Sequence, residues 1–453
     1  MSRNVLLLTA PAPKQSPFPV NEKRPPLGLG FLVSILRRAG HSVILRDEFL
    51  QPSRDLTLSL LQEAQVDCVG ISVNSVCWSG AMQLLRWLKH IKSTGQWDGN
   101  VMVGGPHATL KPEDFLDYAD YIVRGEAEQV VVDIVEGSLP KGIISGKPVQ
   151  DLDRLPRLPW EDFRNLPYDW ASDWASAGPV FSLNTSRGCP HRCTFCSAKN
   201  ITGRRHRYMS PERVLDDMFY LQREYGARCI YFREDSFTAS RRRVRELCEL
   251  LLQKGVELSW MCETRADAIK DRQMVSLMAA AGCEAFYIGV ESGSPRILRF
   301  LKKDETVEDF VTAFDNARAC GIKTYASLIR GVPTEREEDV RATRKLIRRL
   351  RPDYIGNSIF VGLPGSELAE YVRENGLYEY EDEAGILYTR AHNQKVNRYN
   401  YGNPYRKIPG TTRCWEYPVY NLIEWAWKSS EQLFPRRFRV WMKDQYNKTM
   451  LGK

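Results

Sequence analysis

Four times between residues 224 and 331 a helical run closes on a glycine and a β-rich run follows at once: "EYGARCIYFRED", "QKGVELSWMCETR", "AAGCEAFYIGVES" and "ACGIKTYASLIRG". Glycine takes the left-handed backbone that closes a helix, and the chain then re-enters a sheet. With "VFSLNTS" (180–186) before these runs and "YIGNSIFVG" (354–362) after them, six βα units result. Six units are too few for a closed eight-stranded barrel, so the expected fold is a partial (β/α)6 barrel. Its chemistry belongs at the C-terminal ends of the strands, on the loops that follow.

The first 145 residues alternate in the same way but form a separate unit. "NVLLLTAP" (4–11), "HSVILRD" (41–47), "VDCVGISVN" (66–74), "NVMVGG" (100–105) and "YIVRG" (121–125) read as buried strands, with amphipathic stretches such as "LGLGFLVSILRRAG" and "WSGAMQLLRWLKHIK" between them. That pattern predicts a doubly wound parallel sheet. The fold class is therefore α/β, in four parts: a doubly wound domain over 1–145, a proline-rich linker over 146–180 packed against the surface, the barrel over 181–385, and a helical basic extension over 386–453.

At 453 residues the chain is long enough for several cores. "VLLLTAP" is too short for a signal peptide, and no apolar run approaches the ~20 residues of a membrane span. A cytoplasmic protein without membrane contact is expected, in which thiols stay reduced. Of the net charge of +8, most belongs to residues 401–453, where ten Lys or Arg face four Asp or Glu among many aromatics. Such a tail suits phosphate contacts and base stacking. It equally suits an amphipathic helix that packs its aromatics on the body, and the helical spacing favours that reading over nucleic-acid binding.

Directly after the first barrel strand stands "SRGCPHRCTFCSAKN" (186–200), with Cys189, Cys193 and Cys196 inside eight positions and no fourth cysteine nearby. Three thiolates would bind three irons of an iron–sulfur cube and leave the fourth iron open for a small molecule. Zinc with His191 as a fourth ligand is the competing reading, although the usual paired knuckles are absent. The other eight cysteines show no C-x2-C pair and read as buried apolar residues.

The C-x3-C-x2-C loop with Phe195 before its last cysteine resembles the radical S-adenosylmethionine (SAM) superfamily. So do "YFREDSF" (231–237), "MCETRAD" (261–267), "IGVESGSPRIL" (288–298), "IRGVPTE" (329–335) and "VGLPGSEL" (361–368) at later strand ends. The resemblance implies a [4Fe-4S] cluster on Cys189, Cys193 and Cys196, with SAM held by Phe195, Arg265, Glu291 and Ser292. One electron, from flavodoxin or an equivalent reducing system, would then cleave SAM to a 5′-deoxyadenosyl radical. For Glu291 the alternative is a carboxylate capping the next helix; for Arg265 it is an ion pair with Asp267 or Glu263.

"RPPLGLGFLVSILRRAGHSVILRD", "VGGPHATLKPEDF" and "YIVRGEAE" resemble the cobalamin-binding domain that precedes the barrel in one branch of the superfamily. The Asp-x-His-x-x-Gly motif that ligates cobalt from below is missing: none of His41, His90 and His107 has Asp two positions earlier. The chain as a whole is most similar to the cobalamin-independent 1,2-diol dehydratases of aminoglycoside antibiotic biosynthesis, of the apramycin-pathway type. That likeness implies a lyase that works without cobalamin on a paromamine-like aminosugar, with an NADPH-dependent reductase acting on its product. A polycationic aminosugar calls for converging carboxylates. Asp235, then Glu234 and Glu263, are the candidates for substrate binding and proton transfer, unless they pair with Arg233 or Arg265. Cobalamin-dependent methylation of a natural product is the alternative within the superfamily. A non-catalytic RNA-binding protein is the alternative outside it.

Overall fold

The computed structural model describes residues 2–12, 23–172 and 174–389. Six parallel strands form the front sheet: β1 (Asn4–Thr9), β2 (Ser42–Arg46), β3 (Cys68–Ser72), β4 (Asn100–Gly104), β5 (Tyr121–Gly125) and β6 (Gly142–Gly146), in the order β2-β1-β3-β4-β5-β6. Leu6 and Leu8 enter the core on one face, and Val5 and Leu7 the core on the other. Burial on both faces is why this strand reads as an unbroken apolar run. β1 lies between β2 and β3, so the order reverses there and a crevice opens outside the C-terminal ends of β1 and β3.

The second sheet has six parallel strands in chain order: Val180–Leu183, Cys229–Phe232, Ser259–Thr264, Cys283–Glu291, Lys323–Arg330 and Tyr354–Ile359. Helices such as Pro211–Tyr225, Arg241–Gln253 and Glu337–Leu350 cover its outside. The four punctuating glycines, Gly226, Gly255, Gly282 and Gly321, all have positive φ, between 59° and 93°. Val180, Met261 and Ala285 gather with Tyr231 and Trp174 in a small cluster apart from the main barrel core, on the inner surface of the sheet.

Three sequence expectations are corrected. β6 was not foreseen, because it lies at an edge, alternates in exposure and leaves Ile143 43% exposed. The stretch 146–180 does more than pack against the surface: between exposed residues, Leu152, Leu155, Leu158, Trp160 and Phe163 are buried in the barrel core. The first helix, Leu27–Arg38, is pressed so closely on this stretch that a Cβ at Gly30 would stand 2.8 Å from Leu158. After the barrel the chain makes a three-stranded antiparallel sheet, Val361–Gly362, Tyr380–Glu381 and Leu387–Tyr388. Residues 386–389 thus end a sheet instead of opening a helix, and Ile386 and Tyr388 pack into the front core. The basic aromatic tail lies outside the described residues. Among the described residues no helix is long and apolar enough to cross a membrane.

Candidate cluster and cofactor site

The first barrel strand leads into a two-residue ribbon, Ser186–Arg187, paired antiparallel with Arg207–Tyr208. Gly188 then turns the chain at φ +84°, where a Cβ would stand 2.3 Å from the Arg205 carbonyl oxygen. Only glycine fits that turn. Backbone and side-chain bonds moor the loop beyond it. Cys189 N–H donates to Gly203 O (3.1 Å), and Thr194 N–H to Leu301 O (2.9 Å). Ser197 Oγ donates to Pro364 O (2.8 Å), and Asn200 Nδ2 to Gly365 O (2.7 Å).

Cys189, Cys193 and Cys196 are half-buried, whereas Cys68, Cys77, Cys229, Cys248, Cys262 and Cys283 are buried. Burial, Asp235 and the two neighbouring thiols push Cys196 up to about 11. All three thiols lie on one short loop. Yet among the described residues no group of three His, Cys, Asp or Glu is drawn tightly enough to hold a single metal ion. Three soft thiolates, each able to take its own iron, fit a cluster better than one zinc. His191 is held neutral, its pKa lowered to about 4 by burial and by Arg265.

Around this loop the nominated residues separate. Phe195 packs on the apolar group of Ile297, Val332, Phe360 and Leu368. Glu291 ends the fourth strand at a register shift between Gly289 and Glu291, with φ +61°. A non-glycine residue in that region is strained, and such strain gathers at functional sites. Its carboxylate meets Lys303 Nζ at 3.4 Å, and burial raises its pKa against the pull of that ammonium. Asp235 is exposed, accepts from Thr202 Oγ1 (2.7 Å), and its charge reaches Cys189 and Cys196.

Glu263 stands in register with Tyr287, which is in register with Tyr325 and that in turn with Tyr354. Alternation along the strand from Met261 puts Glu263 on the inner face. Tyr231 OH donates to its Oε1 (2.9 Å), and burial raises its pKa to about 7. Tyr287 and Tyr325 stack at 4.5 Å, and Trp174 lies on Tyr325 at 4.4 Å. They floor the barrel.

Two nominations are corrected. Glu234 is buried and accepts from Thr185 N (2.6 Å), Thr185 Oγ1 (2.5 Å) and Ser186 Oγ, with Arg243 at 3.7 Å. It staples the root of the cluster loop and does not face substrate. Ser292 is buried and its hydroxyl is already engaged with Ser294 N–H (3.2 Å) and Thr343 Oγ1 (3.3 Å), bonds that shape the start of the next helix. Lys303 and Glu305, both buried beside Glu291, were missed. "LKKDET" reads as a solvated turn, and nothing local in it signals burial.

The front domain reaches the same loop. Glu126, just past β5, pairs with Arg187 (2.9 Å) and with Arg207, and accepts from Val149 N–H (2.7 Å); Glu128 pairs with Arg187 (2.5 Å). Arg187 is two residues from Cys189. His107 is buried, with Nδ1 on Ser75 Oγ (2.9 Å) and Nε2 on Asp114 Oδ2 (2.9 Å). His41 directly precedes β2 and His90 lies in the last turn of the helix Trp78–Ser93 that leads to β4, so both belong to the N-terminal end of the strands, opposite the crevice. Among the described residues the front crevice thus offers no imidazole to cobalt. Among the described residues it fits a corrinoid whose lower face takes no histidine from the front domain.

The radical SAM superfamily model matches residues 183–347, and the B12 binding domain model matches residues 20–135. An uncharacterized methyltransferase of Pyrococcus horikoshii is 32% identical over 399 residues, covering 82% of this chain and 84% of its own. The solved cobalamin-dependent S-adenosylmethionine radical enzyme OxsB, with aqua-cobalamin and S-adenosylmethionine bound, superposes with a TM-score of 0.77 at 18% identity, over 99% of this chain and 71% of that one. The methyltransferase TsrM from Kitasatospora setae, with cobalamin and [4Fe-4S] cluster bound, gives 0.64 at 20% identity, over 83% and 75%. At these identities the two structures show a shared fold. The match of the front domain to the B12 binding family overturns the expectation of an enzyme without cobalamin. The absent Asp-x-His-x-x-Gly motif concerns only how cobalt is ligated from below, not whether the domain is of this kind. The chain belongs to the radical SAM superfamily, among the members that carry a B12 binding domain ahead of the barrel.

Proposed function

We propose that this protein is a cobalamin-dependent radical SAM methyltransferase of a small natural product. The observation that carries the reading is the latch between Glu126 and Arg187, which ties the C-terminal end of β5 in the B12-type domain to the root of the cysteine loop. The similarity to a relative named as a methyltransferase supports it. When bound, the cluster and SAM supply radical chemistry, and cobalamin supplies a transferable methyl group. Cys189, Cys193 and Cys196 would hold the cluster, while Phe195 and Glu291 would border SAM. Asp235 and Glu263 line the way in: Asp235 from the exposed rim, Glu263 from the floor with Tyr231.

Dehydration of a 1,2-diol on an aminosugar is the second reading, favoured by one observation. Glu263 has a pKa near 7 and a tyrosine hydroxyl in contact, a pair suited to holding a proton at Oε2 and returning it. In that case an NADPH-dependent reductase would act on the product. Either reading needs a reducing partner such as flavodoxin. The test is anaerobic purification with iron and hydroxocobalamin, followed by incubation with SAM, a reductant and an aminoglycoside mixture. Bound corrinoid with a gain of about 14 mass units supports methyl transfer; a loss of about 18 supports elimination and withdraws it.

A further inference from the structure

Arg265 was expected to hold the carboxylate of SAM. Its surroundings describe another task. The guanidinium has five N–H donors in a fixed plane, and bidentate capture of a carboxylate needs two parallel ones along an edge. One edge is already occupied: Nε donates to Asp267 Oδ1 (3.3 Å) and Nη2 to Asp267 Oδ2 (3.4 Å). The second hydrogen of Nη2 goes to the Lys303 carbonyl oxygen (2.6 Å), and Glu305 Oε2 lies 3.3 Å from the same nitrogen. Nη1 remains, and it donates to Cys193 Sγ at 3.8 Å. No edge with two free parallel donors is left. Burial pulls the guanidinium's pKa down, and the charges of Glu305 and Asp267 more than reverse this, so it stays charged.

What fixes Arg265 is the strap from Leu301 to Glu305, in which Lys302 and Asp304 both adopt left-handed backbone. Leu301 O accepts from Thr194 of the cluster loop, and Asp304 takes Arg192 of the same loop in a bidentate pair (2.7 and 3.0 Å). Glu305 anchors the strap from the other side by accepting from Asp267 N–H (3.0 Å). The strap therefore fixes the loop and the arginine together.

We propose that Arg265 is a positioning residue for the cluster, donating a charged hydrogen bond to the Cys193 thiolate and thereby stabilising the reduced cluster, instead of binding the SAM carboxylate. Donors to cluster sulfur and nearby positive charge both favour the added electron. The inference rests on the radical SAM reading. Two substitutions move the charge in opposite directions: Arg265→Gln removes the charged donor and leaves only a shorter, neutral amide, and Glu305→Gln removes its counter-charge.

The experiment is an anaerobic redox titration of the reconstituted full chain, followed by electron paramagnetic resonance, with SAM affinity measured from the change that SAM causes in the same signal. In Arg265→Gln the one-electron reduction equilibrium should fall about tenfold, a shift of about 59 mV to lower potential, with SAM affinity retained. In Glu305→Gln the potential should rise. If Arg265→Gln does not fold, Arg265→Lys, which keeps the charge on a shorter reach, takes its place with a smaller fall in potential expected and an unmoved one overturning the inference. An unmoved potential in a cluster-loaded variant overturns the inference. So does a loss of SAM affinity of about tenfold or more at constant potential, which would return Arg265 to the SAM carboxylate. Failure of the parental chain to assemble any cluster would instead overturn the radical SAM reading itself.

Discussion

Glu263 carries a pH dependence whose sign can be worked out. Its folded pKa is about 7 against 4.5 for a free carboxyl, because burial disfavours the charged form. Between those two values the folded chain binds the extra proton more tightly than the unfolded chain, so stability falls as pH rises through that window. The loss amounts to at most about 3 kcal/mol. Thermal melts at pH 5 and pH 8 should show it in the parental protein, and Glu263→Gln should flatten the difference. The same substitution should lower turnover about 100-fold, read as a rate at saturating substrate. Cys196→Ala, in contrast, should abolish the ~400 nm absorbance of the reconstituted protein. The placement of the cysteines and Phe195 on the loop after the first barrel strand, and of Glu263 near the end of Ser259–Thr264, was legible because each sits in a short motif. Glu234 and Ser292 were not legible as structural residues, for a shared reason. Side chains alternate only while the strand lasts. Glu234 lies two residues past the end of Cys229–Phe232, and Ser292 lies just past the register shift at Gly289. Beyond such points parity no longer says which neighbour turns inward.

At the scale of elements the ribbon Ser186–Arg187 is the joint of the molecule. Glu126 accepts from two arginines that are themselves mostly buried, so Glu126→Gln leaves positive charge without its counter-charge. Breaking a buried pair in this way costs about 3–5 kcal/mol. The expected outcome is a lower melting temperature and faster amide exchange at 186–189, read by mass spectrometry; unchanged exchange there would show that the latch does not hold the loop. Strands and helices were mostly readable from glycine punctuation and continuous apolar runs. β6 escaped because an edge strand needs only one buried face, and "GIISG" supplies too few apolar residues to register as one.

On the scale of the whole molecule, the segment between the domains matters most. Trp160 is buried among Phe163, Trp170 and Phe181, with its ring edge-on to all three. Trp160→Ala should cost about 3–5 kcal/mol. Because Leu27 and Phe31 of the front domain belong to the same core, both domains should lose stability in one calorimetric transition; two separate transitions would refute this coupling. Prolines and the lack of a period made this segment look superficial, since neither feature reports burial. Tyr168 OH adds a hydrogen bond (2.7 Å) to Asp47 at the far end of β2. A practical boundary follows. Truncating at residue 181 would strip Val149, Leu152, Leu155, Leu158, Trp160 and Phe163 from the hydrophobic interior, leaving a hollow beneath the helix Pro211–Tyr225. A fragment beginning near Val149 keeps these six side chains and still lacks Leu27 and Phe31, so the stretch that composition would assign to neither side belongs to an interior the two halves share.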